Sequence, residues 1–175
     1  MSYGEEIALR VTRAIEKIPD QARRLGIDAT GGWTLLIKHQ LAQLGDEMKY
    51  EVWTAAAARP GDNSHPWPDC LYDLTWLQVV NDGKDIARVP LVFESEWHSC
   101  REEHIDADFQ ELLAARADLR VMVFQQRNAA AVQELMDTLE RQAKACDATG
   151  PGDMYLLCGY DWEDTKRFAF RTFAT

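Results

Sequence analysis

Three carboxylates are conspicuous because they interrupt two segments that are otherwise suited to burial. Residues 71–77 and 90–97 are apolar or aromatic at most positions, and Asp73, Glu94 and Glu96 are the only charged residues inside them. Charged side chains are rarely buried unless they are paired or bind a metal. Carboxylate oxygens are the ligands that magnesium prefers in proteins. The pattern therefore predicts a cation site made by these three acids.

The spacing of the acids predicts that they share one face of a sheet. Side chains alternate along a strand, so Glu94 and Glu96 lie on the same side, about 6.6 Å apart along it. Residues 81–85 contain an Asp-Gly step, which is a strong hairpin signal. A two-residue turn at this step would put Asp73 on that same face, and a turn at the Gly-Lys step after it would set Asp73 opposite Glu94. A longer loop, or a bulge near Pro90, would break the pairing.

An alternative interpretation is that the alternating acids form the solvated face of an antiparallel sheet. Two observations favour a covered face. The same face carries apolar residues, and the segment 103–117 has apolar residues at helical spacing, which predicts a helix packing back on the sheet. The apolar strand residues are Leu71, Leu77, Val79 and Val92, and those of the helix are Ile105, Phe109, Leu112, Leu113 and Ala117.

Length, composition and charge set limits on the class of protein. The chain has 175 residues, of which 46% are hydrophobic, and this suits one domain, 1–175, with a substantial core. No apolar run approaches the roughly 20 residues that span a bilayer, so no membrane association is expected. Four scattered cysteines without a CxxC pair predict reduced thiols in a cytoplasmic protein. A net charge of −10 argues against tight, nonspecific nucleic-acid binding, although a bound metal would screen an acidic site.

Hydrophobic periodicity predicts an α/β layered fold. The order is helix, helix, three strands, helix, strand, helix and two strands. The predicted helices cover 5–18, 33–44, 103–117 and 128–146, and the predicted strands cover 49–56, 71–77, 90–97, 119–125, 153–160 and 166–173. Residues 1–30 are expected to form an N-terminal helical extension, and residues 126–175 a helix followed by a strand pair.

Together, this order and its acids resemble the PD-(D/E)XK nuclease superfamily over residues 33–125. The resemblance implies a restriction-endonuclease-like fold, in which a central mixed β-sheet is flanked by helices. It also implies that Asp73 on the second strand and Glu94-Ser95-Glu96 on the third form the metal-binding motif, with Asp69 of the Pro68-Asp69 dipeptide as the fallback for Asp73. The departure is Glu96, because the family usually has lysine at this position, although some restriction enzymes of the fold use Glu-x-Glu.

The implied activity is metal-dependent phosphodiester hydrolysis with magnesium or manganese as the cofactor. Asp73, Glu94 and Glu96 would be both the metal ligands and the catalytic acids, and Gln110 on the crossing helix would supply a polar contact. Arg101 is another residue that could take the place of the family's lysine. Glu47 or Glu51 could be the glutamate that the family often has before the second strand. The implied partners are nucleic acid, with DNA favoured over RNA, and a second copy of the chain in a homodimer.

Two other interpretations remain open. A non-catalytic binding or regulatory module of the same fold would fit the absent lysine and the acidic composition. A zinc site is the other alternative, with His98, Cys100 and His104 as ligands and Cys70 or His65 completing a tetrahedral set.

Overall fold

A six-stranded sheet organises the chain, which is described by a computed structural model over residues 2–28, 30–54, 71–97 and 102–175. The helices are α1 (Tyr3–Ile15), α2 (Ile18–Leu25), α3 (Thr30–Glu47), α4 (Glu102–Ala114) and α5 (Ala129–Ala145). The strands are β1 (Glu51–Thr54), β2 (Leu74–Val80), β3 (Asp85–Glu96), β4 (Leu119–Gln126), β5 (Met154–Asp161) and β6 (Phe168–Ala174).

The sheet is mixed, and its strands lie side by side in chain order from β1 to β6. Strands β1, β2 and β3 form an antiparallel meander, β4 and β5 run parallel to β3, and β6 returns antiparallel to β5. Parallel neighbours need a long crossover, and α4 and α5 provide the two that are required here. Helices α1, α3, α4 and α5 pack against the sheet. The predicted α/β class with a mixed sheet flanked by helices is therefore confirmed.

The N-terminal region contains two helices where the sequence analysis placed one over 5–18. Helix α1 begins with a capping box, in which Ser2 and Glu5 each bind the other's backbone N–H, and it ends at Ile15. Pro19 lies in the first turn of α2. Proline is well tolerated there because the first N–H groups of a helix have no intrahelical partner. Helix α2 ends at Leu25 and is capped by Gly26, whose φ of 64° is left-handed.

Two apolar cores lie on opposite faces of the sheet. The core beneath α1 and α3 includes Ile7, Ile15, Ile37, Trp76 and Phe93. The core beneath α4 and α5 includes Val92, Ile105, Phe109, Leu112 and Met136, with Leu113 partly buried against it. The predicted inward face is therefore confirmed for the residues of α4, whereas Ala117 lies beyond the end of the helix at Ala114. Successive β3 residues Val92 and Phe93 enter different cores, as the alternation of side chains along a strand requires.

The β2–β3 hairpin has its turn at one of the two predicted positions, and its register then shifts along the strands. Its turn is centred on Asp82-Gly83, with Val80 paired to Asp85, but farther along Leu74 is paired to Phe93. Strand β3 therefore uses two more residues than β2 between these pairs, and the register shifts lie between Trp76 and Val79 of β2. Glu94 and Glu96 alternate with Ser95 along β3, and it is Ser95 that bonds the Asp73 carboxylate.

Two of the four cysteines lie within the described residues. Cys158 is buried and Cys146 half-buried, and both are free thiols, while Cys70 and Cys100 lie outside the described residues. Within the described ranges, no helix combines the length and the apolar character that crossing a membrane requires.

Candidate acidic site

The candidate site lies where β2 begins and β3 ends. Asp73 immediately precedes β2, while Glu94 and Glu96 belong to the last residues of β3. Because Leu74 is paired with Phe93, the strand register brings Asp73 next to Glu94. Both of these segments adjoin parts of the chain that lie outside the described residues, 55–70 before Asp73 and 98–101 after Trp97.

Three donors hold the Asp73 carboxylate in place. Lys38 Nζ lies 2.6 Å from Oδ1, and Oδ2 accepts hydrogen bonds from the Ser95 N–H at 3.1 Å and from Ser95 Oγ at 2.9 Å. The backbone is fixed as well, because Thr54 Oγ1 donates to the Asp73 carbonyl at 2.9 Å. An ionised carboxylate offers about four acceptor positions. Most of the capacity of Asp73 is therefore used within the protein.

Glu94 is the most deeply buried acid of the site, with 8% of its surface exposed. Its Oε1 accepts a hydrogen bond of 3.2 Å from the Asp73 N–H. Burial raises the pKa of Glu94 to about 8, and the negative charges of Asp73, Asp108 and Glu111 add to this rise, while the Asp73 N–H opposes it. In the described part of the chain no cation is paired with Glu94. The carboxyl group therefore holds its proton at neutral pH when no cation is bound.

Helix α4 adds acids that the sequence analysis did not assign to the site. Burial raises the pKa of Asp108 to about 6, and the charges of Glu96, Asp73 and Glu111 contribute, while His104 acts in the opposite direction. Glu96 is half-buried and Glu111 is exposed. The acidic region therefore extends from the start of β2 and the end of β3 to the exposed side of α4. It carries more negative charge than the three predicted acids alone.

Lys38 is a further residue of the site that the sequence analysis missed. It is 6% exposed and belongs to α3, one turn before the buried residues Leu41 and Ala42. A lysine at this spacing faces the core side of its helix, and a buried ammonium group needs a partner. That position was the available signal. It could not identify the partner, because Asp73 lies 35 residues farther along the chain.

The other predicted residues have varied surroundings. Gln110 is exposed on α4, Glu47 is exposed at the end of α3, and Glu51 accepts a 2.7 Å hydrogen bond from Trp53 Nε1. His104, from the zinc interpretation, is exposed in the first turns of α4. The remaining candidates lie outside the described residues and comprise Asp69, Arg101, His98, Cys100, Cys70 and His65.

The acids are close in space but do not form a ready-made ligand set. Among the described residues, no group of three or more His, Cys, Asp or Glu side chains is arranged to hold a metal ion. The contacts of Asp73 give a physical reason, since its two oxygens are directed at Lys38 and Ser95. The donor chemistry nevertheless consists of carboxylate oxygens, which suit hard divalent cations.

Comparison with known proteins finds no match to this chain among protein-family models, curated proteins or solved structures. The structure itself shows an α/β arrangement with a mixed six-stranded sheet and four helices packed against it. Any functional conclusion must rest on the residues of the acidic site.

Proposed function

We propose that this chain is a metal-dependent phosphodiester hydrolase of the nuclease type. The observation that carries the proposal is the buried Glu94 carboxylate, which lies beside Asp73 and close to other acids. Burial and the neighbouring acids disfavour the charged form of Glu94, and a bound cation would favour it. A divalent cation would compensate the charge of several carboxylates at once.

The order of elements gives independent support. Helix α3, the meander β1–β2–β3, the crossover helix α4 and the parallel strand β4 follow the order that a restriction-endonuclease-like fold would have. In such a fold the Asp would lie on the second strand, whereas Asp73 immediately precedes β2. Its neighbour Leu74 is paired with Phe93 of β3, next to the Glu94-Ser95-Glu96 motif. The proposal therefore combines a topology with a set of acids at one place in that topology.

Glu94 and Glu96 are the residues that would hold the cation, with Asp73 as the third ligand. The donor set consists of oxygen atoms with excess negative charge, which fits magnesium or manganese. A bound ion of this kind activates water by lowering its pKa and stabilises the charge that develops on the leaving oxygen. The hydrogen bonds from Ser95 would keep Asp73 oriented, and Glu94 would release its proton when the positive charge arrives.

The substrate is proposed to be nucleic acid, with DNA favoured over RNA, and the protein is proposed to act as a homodimer when it cuts both strands. The purified chain should be incubated with single-stranded and double-stranded DNA and RNA, with magnesium or manganese present. Cleavage should require the metal. It should be abolished by Glu94→Gln, which preserves the shape of the side chain and removes its charge.

The matched control is Glu134→Gln, which makes the same chemical change at an exposed position of α5. This variant should cleave at the wild-type rate, and all three proteins should have the same circular dichroism spectrum. Cleavage by Glu94→Gln at the wild-type rate would remove Glu94 from the mechanism. If the wild type cleaves none of the four substrates with either metal, the hydrolase proposal is wrong.

Two observations favour a second candidate, a non-catalytic binding module. Lys38 already supplies a positive charge to Asp73, and Glu96 stands where the resembled family usually has lysine. A module of this kind would bind a cation or a nucleic acid without hydrolysing it. Metal-dependent retention of DNA, with no cleavage products after prolonged incubation, would favour this candidate over the enzyme.

A further inference from the structure

Strand β6 lies at one edge of the sheet, and among the described residues β5 is the strand with which it pairs. The Asp161 N–H donates to the Arg167 carbonyl, so the odd-numbered residues of β6 bond to β5 and the even-numbered residues direct their backbone groups to the free edge. Proline or unpaired charge commonly protects such an edge. The described strand β6 contains no proline, and its charged residue, Arg171, is paired with Asp137 of α5. This edge is therefore able to pair with another strand.

An apolar groove of about 670 Å³ lies beside this edge, between α1 and β6. Ala8, Leu9 and Thr12 line it from α1, and Phe170 and Thr172 line it from β6. Leu9 is 43% exposed, although leucine is usually buried. The apolar surface therefore continues from the edge strand onto the neighbouring helix.

Helix α1 runs antiparallel to β6. Gly4, near the start of the helix, lies against the Met154 side chain, and Met154 is paired with Ala174 at the end of β6. Glu16, just after the helix, and Phe168, at the start of β6, line one pocket. The middle of α1 therefore lies beside the middle of β6.

The exposed side of α1 carries an acid, an apolar residue and a base at four-residue spacing, Glu5, Leu9 and Arg13, which we call the α1 stripe. Residues at this spacing are neighbours on a helix surface. When two copies of the helix lie side by side in opposite directions with their Leu9 side chains in contact, Glu5 of each lies opposite the partner's Arg13, because both residues are four positions from Leu9. The α1 stripe is therefore complementary to itself.

We infer that β6 and the α1 stripe form the interface of a two-fold symmetric homodimer. The two copies of β6 pair antiparallel and continue the sheet from one subunit into the other. A two-fold axis perpendicular to the sheet reverses the strand and the helix together and keeps both α1 helices on one face. Such an axis requires a self-complementary surface. The inference assigns a surface to the homodimer of the proposed function, and it depends neither on a cation nor on hydrolysis.

The residues of β6 favour one register for this pairing. An axis through Arg171 would set it opposite the partner's Arg171, and like charges directly opposite each other are destabilising. An axis through Thr172 avoids this contact and sets Arg171 opposite the partner's Phe173, with about six backbone hydrogen bonds between the strands. Thr172 then faces the partner's Thr172, which is a favourable cross-strand pair. The same axis brings the two Leu9 side chains together, since Leu9 and Thr172 line the same groove.

The test is analytical ultracentrifugation of the full chain from about 1 μM to about 100 μM, without metal or nucleic acid. The wild type should sediment as a dimer at the upper concentrations. Leu9→Asp sets two carboxylates against each other at the axis, and Thr172→Lys sets two ammonium groups there, so each should weaken the dimer at least about tenfold. The matched controls make the same changes at exposed positions away from the interface, Leu35→Asp on α3 and Thr165→Lys in the turn before β6, and should keep the wild-type Kd.

A second experiment exchanges the charges of the α1 stripe. Glu5→Lys and Arg13→Glu each place like charges opposite each other in a homodimer, so each variant should associate more weakly than the wild type. Mixing the two variants restores an opposite charge at both contacts, and the heterodimer should form at least about tenfold more tightly than either homodimer. A loss of stability in one variant cannot produce this preference, because it would weaken the heterodimer as well.

The outcomes separate this inference from the hydrolase proposal. A wild type that is monomeric at every concentration would overturn the inference, as would a dimer that Leu9→Asp and Thr172→Lys leave unchanged. A mixture of the charge variants without preference for the heterodimer would overturn the two-fold contact between the α1 helices. A dimer that cleaves no nucleic acid would leave the interface standing and count against the hydrolase, and a monomer that cleaves would do the reverse.

Discussion

Replacing Glu94 by glutamine should change how the stability of the protein depends on pH. Glu94 is 8% exposed, and burial together with nearby acids raises its pKa from 4.5 to about 8. The folded protein therefore holds this proton more tightly than the unfolded chain does. The resulting stabilisation is fully present below the unfolded pKa and is lost as the pH rises through the folded pKa.

The magnitude follows from the two pKa values of Glu94. One pKa unit is equivalent to about 1.4 kcal/mol. Between about pH 5 and about pH 8.5, the wild type should therefore lose about 4 kcal/mol of unfolding free energy through Glu94 alone. Glutamine has the same shape and does not titrate. Glu94→Gln should be more stable than the wild type at the higher pH by about this amount, relative to their difference at the lower pH.

Urea unfolding in the presence of a chelator measures both free energies directly. The chelator matters because a bound cation would stabilise the ionised carboxylate and mask the effect. Glu134→Gln, on the surface of α5, should follow the wild-type pH profile. Parallel profiles for Glu94→Gln and the wild type would refute the reasoning, since they would mean that Glu94 has the same proton affinity in the folded and unfolded states.

Two further predictions test the packing that positions the site. Phe109 is fully buried between α4 and the sheet, so Phe109→Ala should cost about 3–5 kcal/mol in urea unfolding, and a loss below about 1 kcal/mol would show that the burial is wrong. At Gly159 of β5, a Cβ would lie 2.5 Å from Val132 Cγ1 and 3.0 Å from the Phe124 ring, so Gly159→Ala should lower the melting temperature by overpacking that costs about 1–3 kcal/mol. Gly31→Ala is the control, at an exposed helical position where alanine is favoured, and an equal loss in both variants would contradict the packing argument.

The sequence predicted the neighbourhood of Asp73 and Glu94 because their positions depend on local rules. Alternation along strands and an Asp-Gly turn signal are properties of short segments. The turn is centred on Asp82-Gly83, one of the two predicted positions, but two register shifts that the sequence did not predict then pair Leu74 with Phe93. Register shifts in the middle of a hairpin depend on packing with neighbouring elements, which spacing alone does not reveal.

Lys38 and Asp108 could not be assigned to the site from spacing. Lys38 precedes Asp73 by 35 residues, and the contact between them depends on how α3 packs on the sheet. From the sequence alone, Asp108 is an acid near the start of a helix. Negative charge is favourable there because of the helix dipole. Its raised pKa depends on burial and on Glu96, which lies on another element. Long-range packing therefore decides which charged groups join the predicted acids.

The most direct test of the central claim is a calorimetric titration of manganese into the wild type and into Glu94→Gln at about pH 8, where the wild-type carboxyl group can release its proton. The wild type and the Glu134→Gln control should bind manganese with equal affinity. Glu94→Gln should bind at least about tenfold more weakly, because a buried charge that compensates the ion is gone. Equal affinity in all three proteins, or no heat of binding in the wild type, would contradict the claim that this acidic site holds a divalent cation.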